Sequence, residues 1–432
     1  MRTANYFIGL MATCLALEAR AAEITQVTVR QRWPWNRLVN LDYVLSGSSS
    51  EKTDITVSGT VGSEAVGIPE SSLSGDLYGV SGGFRRIVWD PTQTACTNNG
   101  ILPDFRVTLN QTNSPVYMIV DLTNTIGTLA QVEYIYPGDS RLVTEGRYTN
   151  VWFDMTNDIA YKTDKLVLRR VHAGAFNMGT AVPPTLAVTL TKDFYVGVFE
   201  VTQAQWKNIM GNYPSAATFT QERDTRPAEG VTYIDIRGAT NSSPSVNWPL
   251  TGYLVTTNSF LGKLRARTGI DSFDLPTEAQ WNLANRAGTT TLFFDGNSSA
   301  NVSGQNKYTN EWLNVLGRYA WNGGKYWTGS TWANAASSVF GPTNGTAKAG
   351  SYLPNSWGVY DTLGNVWDFC LDWDSGLPNG TDPAGNTNGT QRAACGGRFI
   401  ADADLCVSST RSGISDNSPN LVTGFRVVMN LP

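Results

Sequence analysis

The chain has 432 residues, enough for two or three domains of ordinary size, and its 36 acidic and 32 basic residues leave a formal charge of -4 without a long run of either sign. That balance argues against nucleic acid and anionic membranes as partners. Glycine (42), tryptophan (14) and tyrosine (17) are plentiful while charged residues are only 16%, a composition of loop-rich extracellular domains and not of helical bundles.

Arg2, an apolar run from Tyr6 to Leu17 and the small-x-small sequence Ala19-Arg20-Ala21 have the layout of an export signal covering residues 1–21. Beyond it no apolar run approaches the ~18 residues needed to span a bilayer. The mature chain is therefore expected to be secreted, periplasmic or at the cell surface. Four cysteines remain, Cys96, Cys370, Cys395 and Cys406. An oxidising compartment favours a disulfide, yet three of the four fall in the last third, so one thiol is left over or Cys96 crosses domains.

Residues 22–125 carry short alternating runs, among them Thr25 to Val29, Leu38 to Val44, Asp54 to Ser58, Phe84 to Trp89, Phe105 to Leu109 and Val116 to Leu122, separated by Gly, Ser, Pro and Asn clusters. This spacing predicts an all-β sandwich of immunoglobulin or fibronectin type III style with no catalytic pattern, read as a spacer or docking module. A connector follows over 126–164, with Val132 to Tyr136 as a short strand. From 165 the texture changes. Thr202 caps a predicted helix with Ala204, Trp206, Ile209 and Met210 near one face; Thr277 caps another with Ala279, Leu283 and Ala284 inward and Gly288 ending it; a third apolar helix is expected around Phe260 to Arg265. Farther on, Gly364-Asn365 is a positive-φ turn signal, and Trp367 to Trp373 after it has the alternation of a short strand.

Ordered signposts run through this second region: Ala173-Gly-Ala-Phe-Asn-Met-Gly179, Phe194 to Thr202, Arg226-Pro227, Leu275-Pro-Thr-Glu-Ala-Gln-Trp281, Leu353-Pro-Asn-Ser-Trp-Gly-Val-Tyr-Asp361, Gly364-Asn-Val-Trp-Asp368, Gly396-Gly397 and Gly424-Phe-Arg-Val-Val428. Over 165–432 they resemble the sulfatase-modifying-factor family, the proteins similar to formylglycine-generating enzyme. The resemblance implies an α+β domain, a variant of the C-type lectin fold. It also implies, for active members, a Cys-x4-Cys pair that binds one copper ion and oxidises a substrate cysteine, chemistry that needs two soft thiolates. Here Cys406 stands nine residues after Gly397, but five residues further on stands Arg411. The family's Gly-Gly-Ser-Trp is Gly396-Gly-Arg-Phe399, and Cys395 replaces the arginine before it. These departures argue against copper and leave Cys406 as the one catalytic candidate should an oxidase survive.

Other chemistries are weaker. His172 is the sole histidine, so no histidine cluster can bind metal, and Asp372 and Asp374 read as solvated or turn-forming before they read as a glycosidase-type pair. The resemblance also implies calcium held by loop groups, with Asn355, Val359 and Asn365 as the positions to watch. It further favours a Cys370 to Cys406 disulfide, with Cys395 to Cys406 as the competitor. The reading that follows is an exported, non-catalytic module for an extracellular protein, peptide or glycan ligand. Its binding surface is expected on the irregular segment from Arg398 to Asn420, through Arg398, Asp402, Asp404, Ser408, Ser409, Arg411, Asp416 and Asn417. A copper-dependent oxidase acting on a protein cysteine and a structural surface spacer are the alternatives.

Overall fold

The computed structural model describes residues 23–32, 35–46, 52–68, 72–93, 104–124, 131–179, 186–239, 254–323, 325–327, 332–334, 344–386 and 388–431. The expected export signal and Cys96 lie outside them. The chain divides between Thr112 and Asn113 into two compact units.

The first unit is β-rich. In the strand Val39–Ser46 the period of two turns Val39, Leu41, Tyr43 and Leu45 inward, while Asp42 on the other face is covered by the guanidinium groups of Arg30 and Arg86, each 2.5 Å from its carboxylate. This strand lies between Glu23–Gln31 and Gly83–Trp89, and Leu73–Gly75 completes the antiparallel sheet. A second sheet has the order Glu64–Val66, Thr53–Val61, Phe105–Asn113. Trp89 of the first sheet stacks on Phe105 of the second with centroids 4.9 Å apart, so the two layers share one core with Ile55, Ile87 and Leu109.

The second unit starts earlier than the sequence reading placed it. The run from Val116 to Leu122, expected in the sandwich, forms Tyr117–Asp121 and pairs antiparallel with Lys165–Val171 in this unit. Alternation identified the strand correctly but carries no information about its partner. The expected connector contributes as well: Val132–Ile135 pairs with Tyr117–Asp121, Val143–Glu145 pairs with Tyr148–Val151, and Ala160–Thr163 is a short helix. The resulting six-stranded sheet runs Phe273–Asp274, Val428–Asn430, Phe194–Gly197, Lys165–Val171, Tyr117–Asp121, Val132–Ile135.

The three expected helices form. Gln203–Met210 and Glu278–Arg286 both start in full capping boxes, Thr202 with Gln205 and Thr277 with Gln280, and Phe260–Thr268 is capped by Ser259. The helix Glu278–Arg286 stops short of the expected Gly288, and Ala287, the cap residue that follows it, takes the left-handed conformation. It is also the helix that positions the site. Ala279, Leu283 and Ala284 pack with Val171, Val196 and Val428 of the six-stranded sheet, whereas Trp281 packs with Cys370, Ala393 and Cys395 of a four-stranded sheet. That smaller sheet has the order Arg411–Ile414, Arg392–Cys395, Trp367–Trp373, Thr423–Gly424, the last pairing being parallel. Among the described residues no helix is long and apolar enough to cross a membrane.

The turn entering Trp367–Trp373 is formed as expected, with Gly364 at φ 80° and Asn365 at φ 58°. A Cβ at position 364 would also collide with the Arg318 carbonyl oxygen. Gly364→Ala is therefore expected to cost the second unit about 3 kcal/mol, read as a lowered urea midpoint, because strain and collision add.

Candidate functional site

All seven residues of Trp367–Trp373 are buried, and polar groups converge on both faces of the strand. At its start, Asn365 donates its amide to Glu200 Oε2 at 2.5 Å and accepts from the Ala347 N–H at 2.7 Å, while the Val366 N–H reaches Glu200 Oε1 at 3.2 Å. Asp368 Oδ2 accepts from Arg426 Nε at 2.6 Å and from the Trp281 indole at 2.9 Å. The remaining Arg426 donors meet the carbonyls of Gly197, Tyr360 and Asp361. One buried cation thus faces three buried carboxyls, Glu200, Asp361 and Asp368. Burial, followed by the charges of Asp368 and Asp361, raises Glu200 well above the usual carboxylate range.

Toward the strand's other end lies a second polar group that the sequence reading did not assemble. Asp372, expected to be solvated or turn-forming, is 1% exposed and accepts the Glu278 N–H at 2.7 Å, placing a carboxyl at a helix N-terminus. Burial, then the nearby Glu278, pushes it up to about 7. The Glu278 carboxylate, 1% exposed, takes a two-point contact from Arg411, with Nε at 2.6 Å and Nη2 at 3.1 Å, and Arg411 also reaches Asp374 at 2.9 Å. Arg411 belongs to the edge strand Arg411–Ile414, paired with Cys395. The residue at the second thiol position is thus a cation committed to two acids.

The cysteines separate. Cys370 and Cys395 lie with their sulfurs 3.9 Å apart, whereas Cys406 is enclosed with Leu313, Leu316, Tyr319 and Leu363, its sulfur 3.6 Å from the Arg398 carbonyl. The expected Cys370 to Cys406 and Cys395 to Cys406 bridges are both absent, and all three described cysteines are free thiols. Burial pushes the Cys406 thiol up to about 12, so it is a poor nucleophile and a poor soft-metal ligand. Cys406 and Arg411 do not make a two-thiolate copper pair. Among the described residues no cluster of three or more His, Cys, Asp or Glu side chains is arranged to hold a metal ion. His172 is half-exposed, with Nδ1 2.7 Å from Asp193, which also pairs with Arg170.

The calcium positions do not fit that ion, which takes six to eight oxygens. Asn355 donates to the Ala284 and Asn285 carbonyls at a helix C-terminus and accepts from the Trp357 and Val359 N–H groups. The Val359 carbonyl accepts the Asn355 N–H, and both ends of the Asn365 amide are engaged as described.

The expected binding segment is less irregular than its composition implied. Ser408 is buried at 1% exposure, with its N–H on the Leu292 carbonyl, and Arg411 is spent on Glu278 and Asp374, so neither belongs to an open surface. Arg398, Asp402 and Ser409 are half-buried, and Asp404 pairs with Lys307 at 2.9 Å. Asp416 is half-buried beside Asn417, Ser418 and Pro419, which are exposed; backbone bonds from Ile234 to Asp416 and from Gly230 to Asn420 anchor this turn. The hydroxyl of Ser415 donates to Asn417 Oδ1. Short polar residues signal a loop in sequence, but their spacing does not distinguish a buried hydroxyl from an exposed one.

The family model described as a sulfatase-modifying factor enzyme 1-like domain matches residues 156–431. The chaperone protein LppX of Paenibacillus barcinonensis is 30% identical over 278 residues, covering 62% of this chain and 89% of that protein. The formylglycine-generating enzyme of Thermomonospora curvata is 33% identical over 162 residues, covering 35% of this chain and 48% of the enzyme, so the match spans about half of the enzyme's length. Among solved structures, Treponema denticola variable protein 1 aligns with 62% of this chain and 96% of its own at 22% identity, with a TM-score of 0.43.

Two measurements probe this geometry. Arg411→Ala leaves the Glu278 carboxylate buried without its cation and is expected to cost about 3 kcal/mol in urea unfolding near pH 8. The loss shrinks near pH 5, because burial already raises Glu278 and the abandoned carboxyl escapes its charge by taking a proton. Separately, Asp372 and Glu229 are both raised to about 7, in each case chiefly by burial. From about pH 4 to about pH 7 the unfolded chain has released these protons and the folded chain has not, so stability falls as pH rises through that window and levels off above it. Asp372→Asn is expected to flatten the slope of urea midpoint against pH.

Proposed function

The chain belongs to the family of sulfatase-modifying factor enzyme 1-like domains, and on that premise we propose that it is a ligand-binding member of the family and not an oxidase. The observation that carries this reading is Arg411. Where two-thiolate chemistry calls for a second sulfur, the chain has a guanidinium held by Glu278 and Asp374, and the thiol that remains, Cys406, is enclosed and protonated. The family's lectin-like fold then serves as a rigid support for recognition. The turn from Ser415 to Asn420 is the recognition element in this reading, because Asn417, Ser418 and Pro419 form a run of consecutive exposed side chains in the expected segment and the backbone of the turn is anchored on Gly230 and Ile234. The first unit, in this proposal, is an immunoglobulin or fibronectin type III style spacer, and the leader-like residues 1–21 direct the chain out of the cytoplasm. Polypeptide is the ligand class. The match to a relative named a chaperone protein, over 89% of that relative, supports polypeptide ahead of glycan.

Two assays test the proposal. Titration of the reduced chain with Cu(I) against a competing chelator is expected to show no stoichiometric tight binding; one tight equivalent, lost in Cys406→Ser, would restore the oxidase reading. Peptide and glycan arrays are then probed with the wild type and with the double variant Asp416→Ala, Asn417→Ala. The expected result is peptide capture that falls about tenfold in the variant, a loss of roughly 1.4 kcal/mol. Capture of glycans alone would overturn the ligand class, and undiminished peptide capture by the variant would overturn the assigned turn.

A further inference from the structure

Cys370 and Cys395 sit on neighbouring antiparallel strands, Trp367–Trp373 and Arg392–Cys395. In a regular register the residue opposite Cys395 is Asp368, and Cys370 would face Ala393. The pairing is irregular between Phe369 and Trp373, and the Cys370 sulfur comes to 3.9 Å from that of Cys395. Both residues are at most 1% exposed, in a small apolar cluster with Trp281 and Ala393. Cys406 lies in a different cluster, on the far side of the Gly396-Gly397 turn, with its sulfur against the Arg398 carbonyl.

We propose that Cys370 and Cys395 are a disulfide-forming pair, closed while the chain folds in an oxidising compartment, and that Cys406 remains a buried free thiol. Bond formation draws the sulfurs together by roughly 2 Å, to the ~2.05 Å of a disulfide. In the reaction each thiol gives up its proton, one S–S bond forms, and the two electrons pass to the disulfide of a small-molecule or protein oxidant, which leaves as two thiols. The surroundings favour this outcome over metal binding. Burial, then the Cys395 sulfur and the nearby Asp372 and Glu278, hold the Cys370 thiol well above the ordinary range, so a thiolate pair is disfavoured there. A disulfide buries no charge. Because neither sulfur is reachable from solvent in the folded state, the bond belongs to the folding reaction and not to a reversible surface switch.

Occurrence of the bond in the cell rests on the export reading, but the experiment supplies its own oxidant and is independent of it. The full chain is refolded in a mixture of reduced and oxidised glutathione, denatured, alkylated with iodoacetamide without reduction, digested and mapped by mass spectrometry. The expected result is one linked peptide pair joining Cys370 to Cys395, with Cys406 singly alkylated, and the same link in Cys406→Ser. The oxidised chain is expected to unfold about 5 °C above the reduced one. A link from Cys406 or Cys96 to either residue, or single alkylation of both Cys370 and Cys395, would overturn the proposal.

Discussion

The buried contact between Arg426 and Asp368 is the constraint on which the second unit depends. A guanidinium removed from water is tolerable only where its nitrogens find acceptors, and each nitrogen of Arg426 does so, the group reaching into several parts of the chain at once. Its neighbour Val428 is held in the six-stranded sheet, its own donors take carbonyls at Gly197, Tyr360 and Asp361, and its carboxylate partner lies on the strand of the smaller sheet. Trp281 donates to the same carboxylate oxygen, which brings in the helix between the sheets. The signposts Gly424-Phe-Arg426 and Gly364-Asn-Val-Trp-Asp368 are therefore two ends of one interaction. Their first explanation is structural.

Beside that interaction, at the margin of the smaller sheet, lie the residues on which the proposed binding reading rests. A sulfur at position 411 would sit beside Cys395 in the strand register. The arginine that stands there instead neutralises Glu278, whose carboxylate would otherwise be buried alone, and ties the edge strand to Asp374. These contacts hold the edge strand that leads into the turn from Ser415 to Asn420.

Local signals were legible in the sequence, and long-range partnerships were not. The caps at Thr202 and Thr277 and the inward faces of their helices followed from spacing alone, because capping and the 3.6-residue period act over one or two turns. The turn at Gly364-Asn365 was equally local. By contrast, the strand Tyr117–Asp121 was seen but assigned to the wrong sheet, since hydrophobic alternation identifies a face and not a neighbour. Asp372 looked like a solvent residue because acids usually are; only the helix that ends its exposure, beginning at Glu278 far away in sequence, makes it a buried cap. The proximity of Cys370 to Cys395, 25 residues apart, depends on which strands pair and in what register, which composition does not announce.

The strand Val428–Asn430 has an interior place, between Phe194–Gly197 and Phe273–Asp274. During synthesis both of those neighbours leave the ribosome long before it does. Until it arrives, Phe194–Gly197 and Phe273–Asp274 lack the strand between them and Asp368 lacks its cation. The second unit is therefore completed only after most of its length is available, and a partly made chain carries an unfilled place in its sheet.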